Sequence, residues 1–221
     1  MQTEQTGFIT LNECHDFVIS NHHTMEMDNR NEALVRFRKK LESFAPLSDD
    51  DFRPFSTIMH EKSFNKGEVI LREGQVCKNY YFILQGCIRS FGLEDGREVN
   101  VKFYFEDDIA SNFLSFRQEE PSQFYLVAME DCNTYYSTKI EALPIFQDTQ
   151  ALHILLFRLF QDLFFKEEEH ANSFKLLSPE ERYQFLLEHK PQYLQRIPLT
   201  HLASYLAISR ETLTRIRRTI S

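Results

Sequence analysis

From Asn31 the apolar residues Leu34, Phe37, Leu41 and Phe44 recur at the spacing of one helical face, which predicts an amphipathic helix. Ser48 followed by Asp49-Asp50-Asp51 opens a second helix. A serine hydroxyl can accept an orphan backbone N–H there, and acids are favourable in a first turn. Phe52, Phe55, Ile58 and Met59 form its inward face. The period then changes. Gly67, Gly74, Gly86, Gly92 and Gly96 fall among β-branched and aromatic residues. Val69–Leu71, Tyr80–Leu84, Ile88–Phe91, Val99–Phe105, Tyr125–Met129 and Thr134–Ser137 predict short strands, and Asp95-Gly96 is a hairpin-turn dipeptide. Short strands with frequent turns predict a small antiparallel barrel or jelly roll.

After Pro144 the pattern is helical again. Leu152, Leu156, Leu159 and Leu163 form a narrow seam, widened by Leu155, Phe160 and Phe164. Such a seam packs within the chain or against a second copy, and these four leucines are the expected dimer contact. Ser178-Pro179-Glu180-Glu181 combines an N-cap, a proline at the first helical position and a capping-box glutamate. That helix is expected to run to about His189 and to end before Pro191. Near the C-terminus Leu202, Ala203 and Leu206 make one apolar face, Ala207-Ile208-Ser209 is a short break, and Ser209 is a suitable N-cap. Arg210–Ile220 then turns Leu213, Ile216 and Ile220 inward, with Glu211, Thr214, Arg215 and Arg218 outward. Two short helices so divided predict a helix-turn-helix, whose second helix must reach base edges while its inner face holds it on the body. The competing reading is an amphipathic terminal helix with a solvated basic face.

The fold class is therefore α+β. An N-terminal extension over 1–30 precedes an antiparallel β-roll sensor domain over 31–143. A long dimerisation helix follows over 144–171, then an all-α helix-turn-helix domain over 172–221.

Charge favours the DNA reading. The chain carries −8 overall, yet residues 172–221 hold eight Lys/Arg against four acids, a net +4 that leaves −12 for the rest. A basic end on an acidic body suits phosphate contact, which supplies most DNA affinity. With 42% hydrophobic residues and 21 Phe, the 221 residues suit one large domain or two small ones. Met1-Gln-Thr-Glu-Gln-Thr lacks the basic start of a secretory signal, and the longest apolar run, Phe124–Met129, is too short for a bilayer. A cytoplasmic protein without membrane contact is expected. Residues 1–30 are weakly patterned, and Met25 and Met27 offer later translational starts. Cys14, Cys77, Cys87 and Cys132 form no Cys-x-x-Cys pair, so free thiols are expected and neither zinc nor an iron–sulfur centre is supported. The pair His22-His23 is read as incidental, and no residue singles itself out as a haem ligand. No cofactor is expected.

Four segments carry a family resemblance: Lys66-Gly-Glu-Val-Ile-Leu-Arg-Glu-Gly74, Tyr81-Phe-Ile-Leu-Gln-Gly86, Asp95-Gly-Arg-Glu98 and Ser209-Arg-Glu-Thr-Leu-Thr-Arg215. With the order barrel, long helix, helix-turn-helix, the chain over 31–221 resembles the Crp–Fnr family of bacterial transcription regulators. The first three segments are similar to that family's cyclic-nucleotide-binding-like, cupin-like β-roll, and the last to its recognition helix. The resemblance implies that Arg210, Glu211 and Arg215 read bases, chemistry that suits bidentate Arg–guanine contacts and Glu–cytosine contacts. Thr200, His201, Thr212, Arg217 and Arg218 would contact the backbone, with Ser209 at the helix start. No wing is expected after the recognition helix. A homodimer on a palindromic duplex is implied. RNA polymerase enters as a candidate partner, and the identity of any small-molecule effector stays open.

The resemblance breaks at the ligand site. Cyclic-nucleotide binders of the family carry Gly-Glu and, about ten residues later, Arg-Ser or Arg-Thr. Here Ser111-Asn112 and Ser122-Gln123 stand in those places, and Asp107 replaces a usual glycine. Losing the cation that pairs with the phosphate should cost on the order of several kcal/mol. Asp107 and Asp108 are expected to add repulsion. Neither cyclic AMP nor cyclic GMP is therefore expected to bind usefully, while Asn112, Ser122, Gln123 and Tyr125 could line a pocket for an uncharged or cationic effector. A cupin-type enzyme needs a His-x-His pair, and residues 61–140 contain no histidine. Catalysis is not expected. A barrel serving only as a protein-interaction module is the remaining alternative.

Overall fold

The structure is a computed structural model and describes residues 30–220. The expectations for Cys14, His22-His23, Met25 and Met27 lie outside the described residues. Helix α1 covers 30–42 and buries Ala33, Phe37 and Leu41. The second predicted helix is two short ones, α2 (Asp49–Phe52) and α3 (Phe55–Ile58). Pro54 has no N–H to donate, so the first helix ends at Arg53 and another begins. Ser48 caps α2 as expected, accepting from Asp51 N.

Eight strands follow: β1 (His60–Phe64), β2 (Val69–Leu71), β3 (Asn79–Gln85), β4 (Ile88–Glu94), β5 (Arg97–Tyr104), β6 (Ile109–Ala110), β7 (Tyr125–Ala128) and β8 (Cys132–Thr138). A short helix α4 (Phe113–Gln118) lies between β6 and β7. The strands form two antiparallel sheets, ordered β1-β8-β3-β6 and β2-β7-β4-β5. Phe64, Leu71, Ile83, Ile88, Tyr104, Leu126 and Ala128 fill the space between them. Strands β1 and β6 were not predicted. The sequence His-Glu-Lys-Ser-Phe of β1 buries only Phe64 and is held as a strand by its ladder to β8.

Strand β3 explains its own continuous apolar run. Tyr81 and Ile83 face the barrel interior, while Tyr80 and Phe82 face a second core built from α1, α3 and the helices after β8. The β4–β5 hairpin turns at Asp95-Gly96, both with positive φ (50° and 77°), as a primed turn requires. At Gly86, between β3 and β4, φ is 101° and a Cβ would stand 2.6 Å from Asp131 O and Cys132 Sγ. Only glycine fits there.

Helix α5 (Lys139–Phe146) begins at Thr138, whose side chain forms a capping box with Glu141, and it contains Pro144. The long helix is α6 (Gln150–Leu176), capped by Thr149, whose hydroxyl also donates to Asp51 (2.9 Å) and ties α6 to α2. Then come α7 (Pro179–His189), α8 (Pro191–Arg196), α9 (Leu199–Tyr205) and α10 (Arg210–Ile220). The expected capping box Ser178/Glu181 starts α7. Pro191 ends one helix but also opens α8, a position where its missing N–H costs nothing. A third core joins the barrel to these helices: Phe103 and Phe105 pack with Tyr193, Ile197, Leu202, Tyr205, Leu206, Leu213 and Ile216.

Candidate functional site

Helices α9 and α10 meet across Leu206–Ser209. Ile208 N bonds Ala203 O and Ala207 N bonds Ser204 O, each at 3.0 Å, with Ala207 in the left-handed region at φ 54°. This is a Schellman closure made with alanine in place of the usual glycine. Ser209 then caps α10 by accepting from Thr212 N (3.1 Å), so its oxygen and Thr212 are engaged with one another. Leu213 and Ile216 are buried. Arg210, Glu211, Arg215, Arg217 and Arg218 are exposed, as is Thr200 on α9.

His201 departs from expectation. It is half-buried against the barrel, with Nδ1 3.4 Å from Asn100 Nδ2. Burial, then the nearby Arg89, lowers its pKa from the ordinary histidine value. Its neighbour Ser204 accepts from Asn100 N and donates to Glu98 O, both at 3.0 Å. Arg89, itself buried, binds Glu98 (2.6 Å) and Asn100 (3.1 Å). A second latch lies at the end of α8. Arg196 reaches Glu106 (2.6 and 3.0 Å) and Glu130 (2.5 and 3.1 Å) and lies 5.0 Å over the Phe105 ring. Its pKa is raised by Glu130 and then Glu106. Neither latch was legible in the sequence, because the partners lie 66 to 106 residues apart.

In the barrel, the structure brings Asn112 and Ser122 together and leaves Gln123 and Tyr125 elsewhere. Asn112 caps α4 through Ser115 N and donates to Ser122 Oγ (2.7 Å), which donates to Phe124 O (2.7 Å). The two positions expected to offer free hydrogen-bonding groups therefore largely satisfy each other. Gln123 is exposed. Tyr125 stacks on Phe91 at 4.9 Å, on the face of β7 opposite Leu126 and the barrel interior. It does not line the interior.

Asp107 and Asp108 also correct an expectation. Asp107 does take the glycine-like conformation (φ 64°), but its carboxylate binds Arg36 (2.8 Å), while Asp108 faces Lys40 (3.5 Å) and accepts from Phe105 N. Both acids are paired with α1 rather than left to repel a ligand. Cys77, Cys87 and Cys132 are buried free thiols, and burial pushes Cys87 and Cys132 up from the ordinary thiol range.

The leucine seam is another correction. Leu152 and Leu155 are fully buried and Leu159 nearly so, all against the chain's own body, with Leu156 and Leu163 half-buried. Large apolar side chains that α6 leaves to solvent include Ile154, Phe157, Phe164 and Phe165, at 43%, 62%, 65% and 58% exposure, and Leu176 at its end.

Residues 61–148 match the cyclic nucleotide-binding domain family. No curated protein matches the chain. Among solved structures, FixK2 from Bradyrhizobium japonicum is similar over 74% of this chain and 84% of its own, at 21% identity and a TM-score of 0.61. The c-di-GMP responsive global regulator CLP of Xanthomonas campestris is similar over 78% and 91%, at 16% identity and a TM-score of 0.59. The catabolite activator protein of Thermus thermophilus is similar over 82% and 86%, at 20% identity and a TM-score of 0.53. At these identities the likeness shows a shared fold, from the barrel through the long helix to the C-terminal helices. Among the described residues no helix is long and apolar enough to cross a membrane, and no three His, Cys, Asp or Glu side chains gather as metal ligands.

Proposed function

We propose that the chain is a homodimeric, sequence-specific DNA-binding transcription regulator of the Crp–Fnr type, with the barrel as sensor and α9–α10 as the helix-turn-helix. The observation that carries the reading is α10. Its inner residues Leu213 and Ile216 are buried in a core shared with the barrel, while Arg210, Glu211 and Arg215 stand exposed at its start and middle. A recognition helix needs that division, with base readers near its N-terminus. Arg210 and Arg215 are suited to guanine, Glu211 to cytosine, and Thr200, Arg217 and Arg218 to phosphates. Similarity to the regulators named above supports the same reading.

Dimerisation is assigned to the exposed face of α6, with Ile154, Phe157, Phe164 and Phe165 replacing the leucine seam. Four large apolar side chains in a row on a solvated helix favour a second copy, and a dimer would read a palindrome. The barrel does not respond to cyclic AMP in this reading. Asn112 and Ser122 occupy each other where the family places the glutamate for the ribose and the arginine for the phosphate, and neither carries a charge. An effector would act by shifting the population of two dimer geometries, so it must prefer one of them. RNA polymerase is the partner such a regulator would address at a promoter.

Selection from random duplex DNA with purified protein and no added ligand tests the reading. A two-fold symmetric motif is the expected outcome. Failure to enrich any sequence, with or without effector candidates, would sink it.

A further inference from the structure

A cavity of about 540 Å3 lies where β5, the second half of α6, α7 and α8 meet, and neither Asn112 nor Ser122 lines it. Its wall is aromatic. Phe105 and Tyr193 lie 5.3 Å apart, His170 stacks on Tyr205 at 5.1 Å, and Phe174 meets His170 edge-on at 4.9 Å. Five cationic side chains also line it. Three are neutralised: Lys40 by Asp108, Lys102 by Glu167 and Lys166 by Asp162.

The other two form no ion pair among the described residues. Lys190 Nζ stands 5.4 Å over the Tyr193 ring, and the Glu169 carboxylate of the same lining acts on it only through space. Arg182 lies 4.6 Å over Phe174, and its buried Nε has no hydrogen-bond partner. A buried donor without an acceptor is costly and uncommon. Burial pushes the Lys190 ammonium down from the usual lysine range, the sign of a charge short of solvation. Arg182 lies in the first turn of α7 and Lys190 caps its C-terminal end, so they address opposite ends of an elongated occupant.

We propose that this cavity is a binding site for an anionic aromatic small molecule. Its acidic group pairs with Lys190, its rings lie against Phe174 and Tyr193, and an acceptor at its far end takes the Arg182 Nε hydrogen. A volume of this size suits a small organic ligand, and one anion would supply both missing partners. Lys190 is also the residue between α7 and α8, so an occupant would brace the helices that lead to α9 and α10. Its role as effector site rests on the regulator proposed above, whereas binding itself does not.

The probe is anilinonaphthalene sulfonate, with phenylnaphthylamine as the uncharged body of the same rings, titrated by fluorescence and calorimetry into the full chain without DNA. The sulfonate should bind saturably at one site per chain. Lys190→Gln should weaken it about tenfold or more, the worth of one charge-assisted contact, while Lys190→Arg retains it. Phenylnaphthylamine should not distinguish wild type from Lys190→Gln. Ile140→Ser, on α5 at 85% exposure, outside the cavity lining and outside the assigned dimer face, should leave binding unchanged and so separates the site from adventitious dye binding to exposed apolar surface. Absence of saturation, indifference to Lys190→Gln in a variant that melts like wild type, or loss with Ile140→Ser would each overturn the proposal. None of these outcomes would bear on DNA selection, so the two readings fail separately.

Discussion

Arg196→Met should release the C-terminal helices from the barrel. The arginine makes four contacts, two to Glu106 and two to Glu130, from the last turn of α8. Exposed ion pairs are worth about 0–1 kcal/mol each, and breaking a fully buried pair costs about 3–5 kcal/mol. Arg196 is 29% exposed, Glu106 33% and Glu130 37%, so this latch falls between those limits. About 2 kcal/mol is the working figure, since methionine keeps the apolar packing on Phe105 and the two carboxylates are left facing each other. That is roughly a thirtyfold shift between docked and undocked helices, and about 4–8 °C in Tm for a chain of this size.

Burial raises the Glu106 carboxyl, but hydrogen bonds from Arg196 and the backbone outweigh it and hold the folded pKa below the ordinary value. Its stabilising contribution is therefore full above the unfolded value of about 4.3 and lost as pH falls through the lower folded value. The difference in Tm between wild type and Arg196→Met should be complete at pH 7 and shrink below about pH 4. Thermal unfolding across pH, with amide exchange of residues 191–206, measures both. A loss under about 1 °C at pH 7 with unchanged exchange in α8 and α9 would refute the reasoning.

Other consequences can be measured alongside. Ala207→Gly should stabilise the chain by about 0.5–1 kcal/mol, because glycine takes the left-handed closure of α9 without strain; thermal or urea unfolding reads it. Arg210→Ala should cost about 1–3 kcal/mol on the selected site and relax one base position, whereas Arg218→Ala should weaken all sequences alike and lower the salt slope by about one; equal losses on specific and random duplexes would remove the base-reader assignment. Phe157→Glu should shift sedimentation from dimer to monomer while leaving the melting of the barrel core intact, since its side chain lies outside that core. Calorimetry with cyclic AMP should give no saturable heat, and micromolar binding would contradict the reading of the Asn112–Ser122 pair.

Local chemistry made much of this molecule legible in the sequence. The caps at Ser48, Ser178 and Ser209 use a hydroxyl on a backbone N–H three residues away, and the Asp95-Gly96 turn depends on positive φ at adjacent positions. These interactions are complete within a few residues, so their residue types announce them. The division of α10 into buried Leu213 and Ile216 and exposed arginines follows from helical period in the same way.

The tertiary structure decided whatever depended on which neighbour an element meets. Periodicity showed that α6 has a leucine seam, but apolar residues lie on more than one of its faces, and only docking on the barrel made Leu152 core and Phe157 surface. Strand β1 is polar and exists because β8 supplies its ladder. Asp107 and Asp108 looked repulsive until α1 brought Arg36 and Lys40 to them, and His201 was drawn from the expected DNA face by Asn100. The Arg196 latch and the aromatic cavity around Lys190 join segments far apart in the chain. Most elements, their caps and turns, and the order of barrel, long helix and paired terminal helices are written in the residue pattern, because short-range hydrogen bonding and hydrophobic period encode them. Which faces are spent on the core, and which charges are left without partners, follows from packing between distant segments and belongs to the folded chain alone.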